Sequence, residues 1–136
     1  MDEQALTDKL LNHAVGVTPQ RLRIAAVMLD APRHLSADQV LAKLNRDGGG
    51  VSKATVYNTL RTFTEHGLLR EINVDGQRSF YDSTVAPHHH FYNPETGELM
   101  DIRADRIKVS GLPQPPDGTE AAEVEVIIRL RKRPAV

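Results

Sequence analysis

Apolar residues recur at helical spacing through the first half of the chain and alternate with polar ones near its end. In "MDEQALTDKLLNHA", Leu6, Leu10 and Leu11 predict a short first helix. Thr18 caps "PQRLRIAAVMLDA", with Pro19 at the first helical position, where its missing N–H costs nothing. Leu22, Ala25, Ala26 and Leu29 form that segment's expected apolar stripe, and "PRH" breaks it. Ser36 opens a third helix, "ADQVLAKLNRDGGG", with Val40, Leu41 and Leu44 inward and the glycines as its stop. Ser52 caps "KATVYNTLRTFTEHG", which Gly67 ends; Val56, Leu60 and Phe63 stand at i, i+4 and i+7 and must face a core.

The period then changes. "LLREINV" and "QRSFYD" read as two strands, joined at Asp75-Gly76 by a two-residue hairpin signal. Helices followed by a twisted hairpin make the winged variant of the helix-turn-helix, expected over residues 1–84. Residues 85–136 read differently. "HHHFYN" and "ELMDIR" are short strands about the turn "PETG", "ADRIKVSGL" reads as one or two helical turns, and "PQPPDGT" is a stiff polar connector. In "AEVEVIIRLRKR", Val124, Val126, Ile128 and Leu130 point one way, and Glu123, Glu125 and Arg129 the other. A three-stranded sheet and one short helix bury little alone, so this part is expected to dimerise. The fold class is α+β: a winged helix-turn-helix plus a small C-terminal α/β dimerisation domain.

Composition narrows the chemistry. An apolar share of 40% supports a folded core, and a net charge of -1 gives no general attraction to polyanions or membranes. With no cysteine, disulfides, thiolate zinc sites and iron–sulfur clusters are excluded. No apolar run reaches the roughly 18 residues of a membrane span. The acidic start lacks a signal-peptide pattern, so a cytoplasmic protein is expected. There is no Gly-rich phosphate loop, GxSxG or HExxH, and the small second part leaves little room for a substrate cleft; an enzyme is not expected.

The helix "KATVYNTLRTF" is amphipathic, as countless core helices are. Charge does not single it out, because residues 1–84 hold ten Lys and Arg against ten Asp and Glu. The residue types on its outer face do. Lys53, Thr55, Tyr57, Asn58 and Arg61 all form hydrogen bonds. Arg reads guanine, Asn reads adenine, and an aromatic or methyl group packs on the thymine methyl. Arg21, Arg23, Arg70 and Arg78 are available for phosphates.

"PHHHFYNPETGELMD" carries the other candidate chemistry. In an extended segment His88 and His90 share one face and His89 points to the other. Two imidazoles alone hold a metal weakly; zinc takes four ligands, and manganese or iron five or six. By chemistry, further ligands are available from His34, at the start of the third helix, Asp82, at the end of the wing, and Asp101.

In order and spacing, "TPQRLRIAAVMLDAPRHLSADQVLAKL", "VSKATVYNTLRTFTEHGLL" and "HHHFYNPETGELMDI" resemble the ferric uptake regulator family. The resemblance implies a dimeric winged-helix repressor with a C-terminal dimerisation and metal-sensing domain. Tyr57 takes the place of the family's base-contacting tyrosine, while Asn58 replaces the arginine that commonly follows it. His34, Asp82, His88, His90 and Asp101 align with the family's inter-domain metal site, with Asp at two places that commonly hold Glu. The family's second sensory site is not expected, since position 108 is Lys108 and no histidine follows His90. Most members carry a CxxC after the His-rich segment; Asn93 and Thr96 stand there instead. That departure, with the His triplet, resembles the iron response regulator branch of rhizobia and related alphaproteobacteria, which is linked to iron and haem status.

The sequence thus leads to a regulator of iron and haem genes that binds promoter DNA as a homodimer, with Mn, Fe or Zn as cofactor and metal or haem as effector. Haem ligation by His88, His89 or His90 would compete with the metal for the same imidazoles. The alternative is a winged-helix protein-interaction scaffold without metal sensing.

Overall fold

The structure is a computed structural model. It describes every residue except Ala31, Pro32, Asp47, Gln77 and Val136, so the break expected at Pro32 lies outside the described residues. The chain divides into two compact units, Met1–Val85 and Ala86–Val136.

The first unit contains α1 (Glu3–Asn12), α2 (Pro19–Leu29), β1 (His34–Ser36), α3 (Ala37–Arg46), α4 (Lys53–Glu65), β2 (Arg70–Asn73) and β3 (Ser79–Asp82). Its helices start where side chains satisfy the free N–H groups of the first turn. Asp2 accepts from Ala5 N–H, Thr18 from Arg21 N–H and Ser52 from Thr55 N–H. At α3 the cap is reciprocal: Ser36 Oγ accepts from Gln39 N–H, and Gln39 Oε1 accepts from Ser36 N–H. Gly67, at φ +79°, turns the chain out of α4.

One core joins the four helices. Leu10, Ile24, Met28, Val40, Val56, Leu60 and Phe63 are fully buried in it. Two expected stripes are rotated. On α1 Leu11 is exposed while Leu6 and Leu10 are buried; on α2 Ile24, Ala25, Met28 and Leu29 are buried and Ala26 is exposed. Both segments carry more apolar residues than one face holds, so packing chooses among them.

The wing is a three-stranded antiparallel sheet in the order β1-β3-β2. β1 is a departure from the sequence reading: His34 lies on a strand, not at the start of the third helix, and is the Cα partner of Asp82. Three residues are too few to show a period. The hairpin loop is also longer than the Asp-Gly signal implied. Val74 N–H donates to Arg78 O, leaving residues 75–77 between them.

The second unit contains β4 (His89–Asn93), β5 (Glu98–Ile102), one 3-10 turn (Ala104–Arg106) and β6 (Ile127–Arg129). β5 and β6 flank β4, antiparallel and parallel respectively. Tyr92 and Leu99 fill this unit's small core. The 3-10 turn is shorter than the helical segment expected from "ADRIKVSGL". The alternating segment near the end forms a strand of three residues only. Among the described residues, no helix is long and apolar enough to cross a membrane.

Candidate functional site

The tight β4–β5 connection sets the geometry. Asn93 Oδ1 accepts from Glu95 N–H at 3.0 Å, Asn93 O accepts from Gly97 N–H at 2.8 Å, and Gly97 adopts φ +73°. Thr96 Oγ1 accepts from Glu98 N–H. The two residues standing in the CxxC places therefore build the turn themselves. The turn fixes the register that makes His90 and Asp101 direct partners across the ladder.

Three side chains converge there. Asp101 Oδ1 lies 2.9 Å from His88 Nε2 and 3.2 Å from His90 Nε2. The two imidazole centroids are 4.4 Å apart. Each of the three residues offers a ligand atom, and these atoms lie within 4.8 Å of one another. The donors are nitrogen and oxygen only, a set that suits Mn²⁺, Fe²⁺ or Zn²⁺. His88 Nδ1 lies 2.9 Å from Ala86 O, which leaves Nε2 as the ligating nitrogen. His90 is fully buried, and its Nδ1 lies 3.2 Å from Glu125 Oε1. A carboxylate behind a metal-binding imidazole helps to orient the ring.

His89 is turned to other work. Its Nδ1 accepts from Val126 N–H at 2.9 Å, tying the start of β6 to β4, and the residue is 7% exposed. In the first unit, His34 and Asp82 are opposed in the β1–β3 register and so share a face of the wing sheet. Asp82 is 1% exposed, and its Oδ1 accepts from Thr84 N–H.

Sequence reasoning missed Glu125. Its alternation with Val124 and Val126 puts it only on the polar side of that segment, and it follows His90 by 35 positions. Only the parallel β4–β6 pairing, with His90 opposite Ile127, reveals the proximity.

The expected DNA-reading residues gather on α4. Lys53, Tyr57, Asn58 and Arg61 are exposed, and Thr55 is half-buried. Arg21, Thr55 and Asn58 line one shallow depression between α2 and α4, with Thr18, Gln20, Thr59 and Thr62. Arg21 donates to Gly16 O at 2.8 Å, which braces the approach to α2. Tyr57 Oη donates to Asp38 Oδ1 at 3.4 Å, and Lys53 Nζ lies 3.8 Å from the same oxygen and 5.8 Å from the Tyr57 ring centre. Asp38, on α3, thus links two candidate base-contacting side chains, a contact with no signature in the sequence. Arg78 lies at the wing tip, its N–H donating to Asp75 Oδ1. Arg23 does not belong to this face: its Nη1 donates to Gly49 O.

A family model described as the ferric uptake regulator family matches residues 12–126. The chain is 31% identical over 105 residues to the peroxide-responsive repressor of Staphylococcus saprophyticus, covering 77% of this chain and 70% of that protein. It is 30% identical over 93 residues to the corresponding repressor of Staphylococcus aureus, spanning 68% of this chain and 63% of the relative, just under two thirds of that protein's length. The fold is similar to that of the manganese-containing ferric uptake regulator of Pseudomonas aeruginosa, with a TM-score of 0.67 at 24% identity over 94% of this chain and 98% of that one. The chain belongs to the ferric uptake regulator family, a family of transcription regulators and not of enzymes.

Proposed function

We propose that this protein is a dimeric, metal-responsive regulator that binds promoter DNA in the cytoplasm and controls genes of iron and haem homeostasis. The observation that carries the reading is the meeting of His88 and His90 on one carboxylate oxygen of Asp101. His34 and Asp82 are the ligands assigned to the first unit. Five N and O donors suit Mn²⁺ or Fe²⁺ better than four-coordinate Zn²⁺. When bound, the ion would supply a positive centre for these N and O donors. His88, His90 and Asp101 would hold it from the second unit, and His34 and Asp82 from the first. α4 contacts base edges through Lys53, Thr55, Tyr57, Asn58 and Arg61, while Arg21 and Arg78 set the register on phosphates.

The resemblance to the iron response regulator branch, carried by the His triplet and the missing CxxC, supports iron as the signal. Haem is the finer alternative effector. His90 is buried and His89 is held by Val126 N–H, so haem ligation requires β4 to open. Peroxide is a second candidate signal, because the relatives named above are peroxide-responsive repressors.

One experiment separates these readings. Chelator-treated protein is tested for promoter binding by gel shift with Mn²⁺, Fe²⁺ or haem added, and with the Fe²⁺ complex exposed to peroxide. Metal-dependent binding supports the proposal; failure to bind promoter DNA with or without metal supports the interaction scaffold, and binding unchanged by every effector removes the metal-sensing part of the proposal.

A further inference from the structure

A basic cleft lies in the first unit, and none of its lining residues is among the metal or DNA-reading residues proposed above. It has a volume of ≈ 540 Å³ and is lined by Arg23, Ala26 and Val27 of α2, by Lys43, Leu44 and Arg46 of α3, and by Arg33. Four of the ten basic residues of positions 1–84 stand on its walls, and no carboxylate lines it among the described residues.

Two of the arginines are already fixed. Arg23 Nη1 donates to Gly49 O, and a Cβ on Gly50 would lie 3.3 Å from that nitrogen, so the loop closes tightly on the guanidinium. The Arg33 backbone is pinned at both ends: its N–H donates to Ser83 Oγ at 2.9 Å, and its O accepts from Ser83 N–H at 3.0 Å. Arg33 Nε is buried and has no hydrogen-bond partner among the described residues. Asp30 feels the charge of Arg33, but its carboxyl is already taken by the Met1 ammonium, which holds it below the ordinary carboxylate range. A buried N–H donor beside three further cations calls for an anion.

We propose that this cleft binds a phosphate ester, with Arg33 and Arg23 gripping the phosphoryl oxygens and Lys43 and Arg46 neutralising the remaining charge. Guanidinium forks match phosphate oxygens in pairs. The cleft is larger than a phosphate, and Ala26, Val27 and Leu44 give it an apolar floor for the rest of the ester. The phosphate has two possible sources: the DNA backbone, or a free phosphorylated molecule of nucleotide size.

The test has two arms, both on the full-length chain. In the first, the arginine Nε–Hε signals are followed by NMR as adenosine monophosphate, and separately inorganic phosphate, is added at constant ionic strength. Wild type gives saturable shifts, which Lys43→Gln/Arg46→Gln weakens at least tenfold and Arg33→Gln abolishes. In the second, the affinity for a short duplex is measured against KCl concentration. If backbone phosphates occupy the cleft, Lys43→Gln/Arg46→Gln lowers the log–log salt slope by about two. Shifts in the first arm establish the free ligand, and a reduced slope in the second establishes DNA; either supports the site. No saturable shift together with an unchanged slope overturns it. Lys43 and Arg46 lie at the surface end of α3, so that variant keeps the test valid if Arg33→Gln fails to fold.

Discussion

His90 and Asp101 are direct partners across β4 and β5, and the Asp101 oxygen 3.2 Å from His90 Nε2 also lies 2.9 Å from His88 Nε2. One carboxylate oxygen therefore organises two imidazoles before any ion is considered. Asp101→Ala is expected to abolish tight Mn²⁺ binding in calorimetry while leaving the thermal melt of the protein near wild type. Asp101 is exposed, so its removal opens no cavity. Wild-type Mn²⁺ affinity in the variant would remove Asp101 from the ligand set.

Glu125 acts one step further out, on the far nitrogen of His90. Glu125→Gln is expected to weaken Mn²⁺ binding by about 10–100-fold, as loss of such partners generally does. Binding should still release protons on forming the complex, which calorimetry in buffers of different ionisation enthalpy measures. An unchanged affinity would make the contact incidental.

On the DNA-reading face, Asn58→Ala and Arg61→Ala are each expected to cost about 1–3 kcal/mol of operator affinity if they read bases. Their effect should differ between operator and unrelated DNA in fluorescence anisotropy. Equal loss on both sequences would reassign them to phosphate contacts. Asp38→Ala frees Lys53 and Tyr57. It should strengthen nonspecific binding by removing a negative charge from that face.

The start of α4 depends on one hydroxyl. Ser52 Oγ accepts from Thr55 N–H at 3.1 Å, and Ser52→Ala is expected to destabilise the first unit by about 1 kcal/mol in urea unfolding. A loss within error would mean that water replaces the cap.

Tyr81 predicts an alkaline limit. Burial raises its phenol above the ordinary value of about 10, and Glu71, its partner on β2, adds to the rise. The folded state then holds the phenolic proton where the unfolded chain releases it. That contribution is complete below about pH 10 and is lost as pH rises through the folded-state value. Thermal melts at increasing alkaline pH should fall for wild type and fall less for Tyr81→Phe. Parallel curves would refute the assignment.

The winged helix was legible because its signals are local. Ser52, Gly67 and the Val56, Leu60 and Phe63 spacing mark α4 without reference to the rest of the chain. His88 and His90 were also legible, since strand alternation alone puts them on one face. What escaped depends on contacts distant in sequence. β1 exists only because β3 lies beside it, so His34 read as part of a helix. Glu125 read only as pointing away from Val124 and Val126, because its neighbour lies on β4. Asp38 reads as an ordinary first-turn acid until α3 and α4 are packed together. Leu11 and Ala26 were misplaced for a simpler reason: their helices carry more apolar residues than one face can bury.

The parallel pairing of β4 with β6 has a consequence for how the protein is made. The histidines leave the ribosome well before residues 123–129 do. Until then Glu125 is not behind His90, and Val126 N–H is not on His89. A nascent chain thus displays three imidazoles on an unfinished sheet, in a cell where metal ions are already present. If the site takes a metal as proposed, correct loading is an event of the completed chain, and premature capture of an ion by the triplet is the error that late arrival of β6 leaves open.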